Sequence, residues 1–77
     1  MDPQLANSYA KCGTAYRHLG KFRLAVNDFD SALQINPNMT FAYHNRGIAY
    51  FIMDLYLMAI DDFNVAVDVS PLVAEPY

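Results

Sequence analysis

The sequence predicts an all-α fold in which tandem antiparallel helix hairpins form a segment of an α-solenoid. Three prolines, Pro3, Pro37 and Pro71, are spaced 34 residues apart. When residues 6–39 are laid on residues 40–73, nine positions are identical without a gap. Within each unit, apolar residues recur at i, i+3, i+4 and i+7, which is typical of a helix with one buried face. A repeat of this length holds two short helices and a turn.

The first unit, residues 6–39, is predicted to contain helices at about residues 6–19 and 22–35. Gly20 lies in the short connection, where a residue that readily adopts the left-handed conformation can end a helix. Pro37 follows the second helix and stops it, because proline cannot continue the hydrogen-bond ladder. The predicted core-facing residues of this unit are Tyr9, Cys12, Gly13, Tyr16, Phe22, Ala25, Val26 and Phe29.

The second unit, residues 40–73, is predicted to contain helices at about residues 40–53 and 56–69. Asp54 replaces the turn glycine of the first unit. Aspartate tolerates the left-handed conformation better than most residues, so we expect the turn to survive. Pro71 is expected to end the second helix.

The flanking residues are expected to belong to neighbouring repeats. Residues 1–5 would close a preceding repeat, since Pro3 keeps the 34-residue proline spacing. Residues 74–77 would open a following repeat, since Tyr77 keeps the spacing of the equivalent tyrosines. Repeats bury their faces against neighbours. We therefore expect uncovered surfaces at both ends, which further repeats or another copy would cover.

Two glycines in helix interiors indicate close helix packing. A glycine inside a helix costs about 1 kcal/mol relative to alanine, so a compensating contact is expected. We predict that Gly13 approaches Ala25 and that Gly47 approaches Ala59, with aromatic rings filling the space on either side.

These features resemble the tetratricopeptide repeat signature. The residues that carry the resemblance are Tyr9, Gly13, Ala15, Tyr16, Gly20, Ala25, Phe29, Ala32 and Pro37, and residues 40–73 repeat the pattern. Cys12 and Arg46 depart from it, because the family usually has leucine there. The resemblance implies a superhelix whose concave face is lined by the first helix of each hairpin. It also implies a non-catalytic scaffold that binds extended segments of other proteins on that face.

The side of the first helices opposite the predicted core stripe holds the candidate partner-binding residues. They are Asn7, Thr14, Arg17, His18, Phe41, His44, Asn45, Ile48, Phe51 and Ile52, with Ala10 between them. By the resemblance, Asn45 would hydrogen-bond the backbone of a bound peptide. We expect an apolar anchor near Phe41, Ile48 and Phe51, because several large apolar residues on an exposed stripe indicate a contact site. A polar or acidic residue of the partner would lie near Arg17.

A second interpretation remains open for the same stripe. It could pack against other parts of a longer array or against a second copy, and the segment would then be structural or self-associating. Leu24, Leu57 and Met58 form another apolar group at the start of the outer helices. We interpret that group as packing against neighbouring repeats.

Charge and cysteine content limit the partners and the compartment. The net charge is −3, which disfavours nucleic acid and anionic membrane as partners. No apolar run approaches the length of a membrane span. The charge is uneven, with +2 on residues 6–39 and −3 on residues 40–73. Cys12 is the single cysteine, which excludes an internal disulfide and favours a cytoplasmic location.

No catalytic residue, metal site or cofactor is predicted. His18 and His44 lie on separate helices without further ligands at metal-binding spacing. Cys12 is predicted to be a small buried residue. Asp62 follows Asp61 directly, so their side chains point about 100° apart, and Asp62 is expected on a solvated face with Asp28. We expect Arg46 to turn its charge toward water or an acidic neighbour.

Overall fold

The computed structural model describes residues 3–69, and every regular element in that range is a helix. The helices are α1 (Pro3–His18), α2 (Phe22–Ile35), α3 (Thr40–Ile52) and α4 (Tyr56–Val69). Each helix packs against the next one along the chain, and α1 also touches α3. The prediction of an all-α fold built from tandem helix hairpins is therefore confirmed. The first helix begins at Pro3, three residues before the predicted start.

The two hairpin turns share one backbone geometry. Gly20 has φ 80° and Asp54 has φ 68°, so both residues occupy the left-handed region as predicted. In the first turn, the Lys21 N–H donates to the Tyr16 carbonyl at 2.8 Å, and the second turn has an equivalent bond of the same length. This bond satisfies a carbonyl that the helix end would otherwise leave unpaired.

A short connection joins α2 to α3. The Asn36 N–H donates to the Ala32 carbonyl at 2.8 Å and closes the last turn of α2. Pro37 comes next and has no N–H to extend the ladder. The corresponding prediction for Pro71 lies outside the described residues, as do those for residues 1–2 and 70–77.

The interior glycines allow close packing, and phenylalanine rings of the facing helices fill the space beside them. A Cβ placed on Gly13 would lie 2.8 Å from a ring atom of Phe29, and one on Gly47 would lie 2.8 Å from a ring atom of Phe63. The prediction that aromatic rings fill the space beside these glycines is confirmed. Each ring comes so close to the facing helix that a side chain in place of the glycine would collide with it.

The face of α3 that contacts α2 is buried, whereas the equivalent face of α1 is open. Ala49 is fully buried, while its counterpart Ala15 is exposed. Cys12 is also exposed, so the prediction that it is buried is wrong. It points about 100° away from Gly13, toward a side of α1 that no described helix covers. Its counterpart Arg46 contacts Asp30 of α2 instead.

A buried ion pair joins α3 to α4. Arg46 contacts the carboxylate of Asp62 at 2.7 Å, as expected for a side chain that seeks an acidic neighbour. Asp62 is only 4 % exposed, so the prediction that it lies on a solvated face is wrong. The sequence position suggested solvent because aspartate is rarely buried alone. The guanidinium covers it in the folded chain.

Candidate functional site

One face of α3 is lined by partly exposed apolar side chains. Phe41, Ile48 and Ile52 point in nearly the same direction, because steps of seven and four residues return to one side of a helix. Phe41 is 50 % exposed, Ile52 is also exposed and Ile48 is half-buried. Three apolar side chains thus form a continuous stripe that solvent reaches.

Two aromatic residues border this stripe on the side of α4. The Phe51 ring packs against Tyr56 with centroids 5.3 Å apart, and the His44 ring lies 5.8 Å from Phe63. Both predicted residues remain exposed. Contacts with α4 hold their rings in place, so a partner would meet a surface that is already ordered.

Asn45 lies at the opposite border of the stripe. The side chain is 5 % exposed, and its Nδ2 donates to the Phe41 carbonyl at 2.8 Å. The amide therefore uses one donor within its own helix, and the residue is nearly closed to solvent. Contact with a bound peptide backbone would require this side chain to become more accessible.

The corresponding face of α1 is polar. Asn7 and His18 are exposed, and the half-buried Thr14 donates its hydroxyl hydrogen to the Ala10 carbonyl at 3.0 Å. Arg17 is half-buried, and its Nε has no hydrogen-bond partner among residues 3–69. A buried donor without a partner carries a desolvation cost. An acceptor from another molecule would remove that cost.

A depression of about 210 Å³ lies between the N-terminal halves of α1 and α3. It is lined by Asn7, Ala10, Lys11, Met39 and Phe41. The structure thus brings the predicted residues Asn7 and Phe41 to one site. Ala10 was expected on the exposed stripe, but it is buried in the core beside Phe29, because its position faces α2.

Two residues that line the depression were missed by the sequence interpretation. Lys11 is exposed and lies one helical turn after Asn7, so the i, i+4 spacing could have revealed it. Met39 was treated as part of a connection, and no periodic signal covers such a residue. We define the α1–α3 face as the ten predicted residues together with these two.

The α1–α3 face carries positive charge that the described residues do not neutralise. Both ion pairs within residues 3–69 involve Arg46, which lies away from this face. Lys11 and Arg17 therefore have no acidic partner in the described part of the chain. In the range 3–69, no group of three or more His, Cys, Asp or Glu side chains is placed to hold a metal ion. None of the four helices is long and apolar enough to cross a membrane.

Comparison with protein families supports the interpretation of the hairpins. The family model described as Tetratricopeptide repeat matches residues 5–39, which cover α1 and α2. The second hairpin has the same helix order and the same turn geometry. A comparison with curated proteins gives no significant match. Repeats of this family are typically non-catalytic modules for interaction between proteins.

Proposed function

Because residues 5–39 belong to the tetratricopeptide repeat family, we propose that this chain is a non-catalytic scaffold that binds an extended segment of another protein. The segment lies along the α1–α3 face. The observation that carries the proposal is the depression between α1 and α3, where the half-exposed ring of Phe41 borders polar residues of α1. Pockets that combine an apolar wall with a few polar groups are typical ligand sites.

The apolar half of the face supplies the binding free energy in this proposal. Phe41, Phe51 and Ile52 are large and accessible, and aromatic residues dominate the energetics of protein interfaces. An apolar side chain of the partner would lie between Phe41 and Ile48. Burial of such a side chain contributes roughly 1.5–3 kcal/mol.

The cationic half sets the orientation of the bound segment. Arg17 and Lys11 would attract an acidic or polar residue of the partner, and the free Nε of Arg17 would receive an acceptor. Charged groups at an interface mainly determine register and association rate. The net charge of −3 disfavours nucleic acid and anionic membrane, so the proposed partner is a protein. The single cysteine supports a cytoplasmic location in this proposal.

Selection of peptides from a random display library on the immobilised chain tests the proposal. Enriched peptides should carry an apolar residue near an acidic one. Their affinity should fall about tenfold or more for Phe41→Glu, which puts a charge in the apolar wall. Val67→Glu is the matched control, because Val67 is at least as exposed as Phe41 but lies on α4. Peptides that bind wild type and Phe41→Glu equally would contradict a site on this face.

A second candidate function is self-association within a longer structural array. Ile60 is 51 % exposed, whereas its counterpart Val26 is 9 % exposed because α3 covers it. Val67 and its counterpart Leu33 differ in the same way. The outer side of α4 thus has the apolar residues of a repeat interface without a covering helix among the described residues.

Molar mass by light scattering, measured over a wide range of concentration, separates the two candidates. A monomer at all concentrations would favour capture of a foreign segment. A larger species that Ile60→Glu disperses would favour the structural function. A larger species that only Phe51→Glu disperses would place the self-contact on the α1–α3 face itself.

A further inference from the structure

The two hairpin tips have opposite chemistry at equivalent positions. The first tip carries Arg17, His18, Lys21 and Arg23, and the second tip carries Phe51, Ile52, Leu55 and Leu57 at the same places, 34 residues later. Every one of these four basic or imidazole side chains is replaced by a large apolar one. Backbone geometry is the same in both turns, so the fold does not require this exchange.

The apolar tip is unusually accessible to solvent. Leu57 is 80 % exposed, and Leu55 and Met58 beside it are also exposed. These residues line a depression of about 400 Å³ together with Asp54 and Tyr56. Contiguous exposed apolar residues rimmed by polar ones mark interaction sites in soluble proteins. Packing among the described helices does not require a large apolar side chain at the position of Leu57.

The walls of this depression are fixed by local contacts. The Tyr56 hydroxyl donates to Asp54 Oδ1 at 2.8 Å, and the Phe51 ring packs on the other side of Tyr56. The left-handed conformation of Asp54 and the bond between Leu55 N–H and the Tyr50 carbonyl set the path of the turn. The free-energy cost of ordering this surface when a partner binds should therefore be small.

The cationic tip lies on the same edge of the molecule as the apolar tip. Successive helices are antiparallel, so the α1–α2 and α3–α4 turns share one edge and the α2–α3 connection lies on the other. The helices α2 and α4 both pack on α3 and not on each other. Since packed helices are about 8–10 Å apart, the starts of α2 and α4 are separated by up to about two such spacings along this edge. Lys21 and Arg23 are exposed and have no ion pair within residues 3–69.

We propose that this hairpin-tip edge binds an acidic amphipathic segment of another protein. An apolar side chain of that segment enters the depression beside Leu57, and its acidic residues lie over Lys21 and Arg23. The site goes beyond the α1–α3 face, because Lys21, Arg23, Leu55, Leu57 and Met58 are not part of that face. Cations beside an apolar pocket match a ligand of opposite charge and similar apolar content.

A protein segment fits this edge better than an anionic membrane does. The apolar tip contains a depression lined by residues 54–58. A depression of this kind can accept a single inserted side chain. The whole chain carries a net charge of −3, and such a charge opposes adsorption to an anionic surface. A membrane is therefore an alternative that the experiment must exclude.

Backbone amide NMR with a synthetic peptide tests the proposal. The peptide is capped at both ends and has leucines along one helical face and glutamates elsewhere. Addition of the peptide should shift the amide signals of residues 21–24 and 55–58 in a saturable manner. Leu57→Ser should weaken binding about tenfold, the equivalent of one buried leucine. Arg23→Ser should also weaken binding and reduce its dependence on salt.

Val67→Ser is the matched control, because it removes an exposed apolar side chain from the same helix, about 15 Å farther along. With this variant, the peptide should shift the amide signals of residues 21–24 and 55–58 as it does with wild type. Circular dichroism shows whether each variant is folded. We expect Leu57→Ser to fold, because the Leu57 side chain is exposed. A peptide with lysine in place of glutamate should bind more weakly.

Four outcomes would overturn the proposal. Equal affinity of wild type and Leu57→Ser would exclude the apolar pocket, and shifts confined to the α1–α3 face would place the peptide there. Flotation with vesicles of phosphatidylcholine and phosphatidylserine that is lost in Leu57→Ser would assign the edge to a membrane. A dimer dispersed by Leu57→Ser would assign it to a second copy.

Discussion

Arg46 of α3 donates two hydrogen bonds to the buried carboxylate of Asp62 of α4, from Nε at 2.8 Å and from Nη2 at 2.7 Å. Its remaining Nη1 donates to Asp30 of α2 at 2.7 Å. The hydrogen bond to Asp62 is the main cause of the raised pKa of Arg46. One guanidinium thereby links three helices and both hairpins.

Removal of Arg46 should destabilise the fold strongly. Arg46→Leu leaves the carboxylate of Asp62 buried without its cation, and breaking a buried pair in this way costs about 3–5 kcal/mol. Urea unfolding followed by circular dichroism measures the loss. The double variant Arg46→Leu with Asp62→Leu should recover most of it, since it removes both charges.

Arg23→Leu is the control for this measurement, because Arg23 is exposed and forms no ion pair with another described residue. Its free energy of unfolding should change by no more than about 0.5 kcal/mol. A similar small change in Arg46→Leu would mean that the ion pair contributes nothing to stability.

Gly13→Ala should destabilise the fold more than Gly47→Ala does. Both added methyl groups would lie 2.8 Å from a phenylalanine ring atom, but Phe29 is fully buried and Phe63 is only half-buried. Phe63 therefore has more room to shift than Phe29, although the methyl group at Gly47 would also lie 3.2 Å from Asp62 Cβ. Overpacking costs about 1–3 kcal/mol, against a gain in helix propensity of about 1 kcal/mol.

Thermal unfolding of the two variants checks this order. Addition of Phe29→Leu to Gly13→Ala should restore part of the loss, because the smaller side chain makes room for the methyl group. A Gly13→Ala variant as stable as wild type would show that α1 and α2 can move apart without cost.

Exchange of the two turn residues should have opposite effects on stability. Gly20→Asp places a side chain at φ 80° and should cost about 1 kcal/mol. Asp54→Gly removes the strain of the same backbone conformation but also removes the hydrogen bond from Tyr56. Its gain in stability should therefore be smaller than the loss caused by Gly20→Asp. Urea midpoints measure both changes. A destabilising Asp54→Gly would show that the bond outweighs the backbone conformation.

Stability should fall at alkaline pH because of Tyr50. Burial is the main cause that raises the pKa of Tyr50 above its ordinary 10.0. The unfolded chain therefore loses this proton first as pH rises. The contribution to stability is complete below pH 10.0 and is lost as pH rises through the higher value of the folded state.

Urea unfolding at several pH values above and below the ordinary tyrosine pKa checks this prediction. Tyr50→Phe keeps the ring beside Arg46 but cannot ionise, so its stability should depend less on pH in this range. Equal pH dependence of the variant and wild type would assign the alkaline loss to other groups.

The sequence determined the all-α hairpin fold because its signals are local and repeated. Spacing of 34 residues, helical periodicity and the left-handed turn residues Gly20 and Asp54 act through neighbouring backbone groups. Those features predicted the helix pairing and both turn conformations. They also predicted the exposed residues Phe41 and Phe51 of the candidate site.

Only the tertiary structure decided which equivalent residues are covered. Ala15 and Ala49 occupy equivalent positions of the two repeats, yet α2 covers only Ala49. Asp62 is buried because Arg46 reaches it from another helix, sixteen residues away in sequence. Burial depends on which helix lies opposite a side chain, and helical periodicity specifies a face without specifying its neighbour.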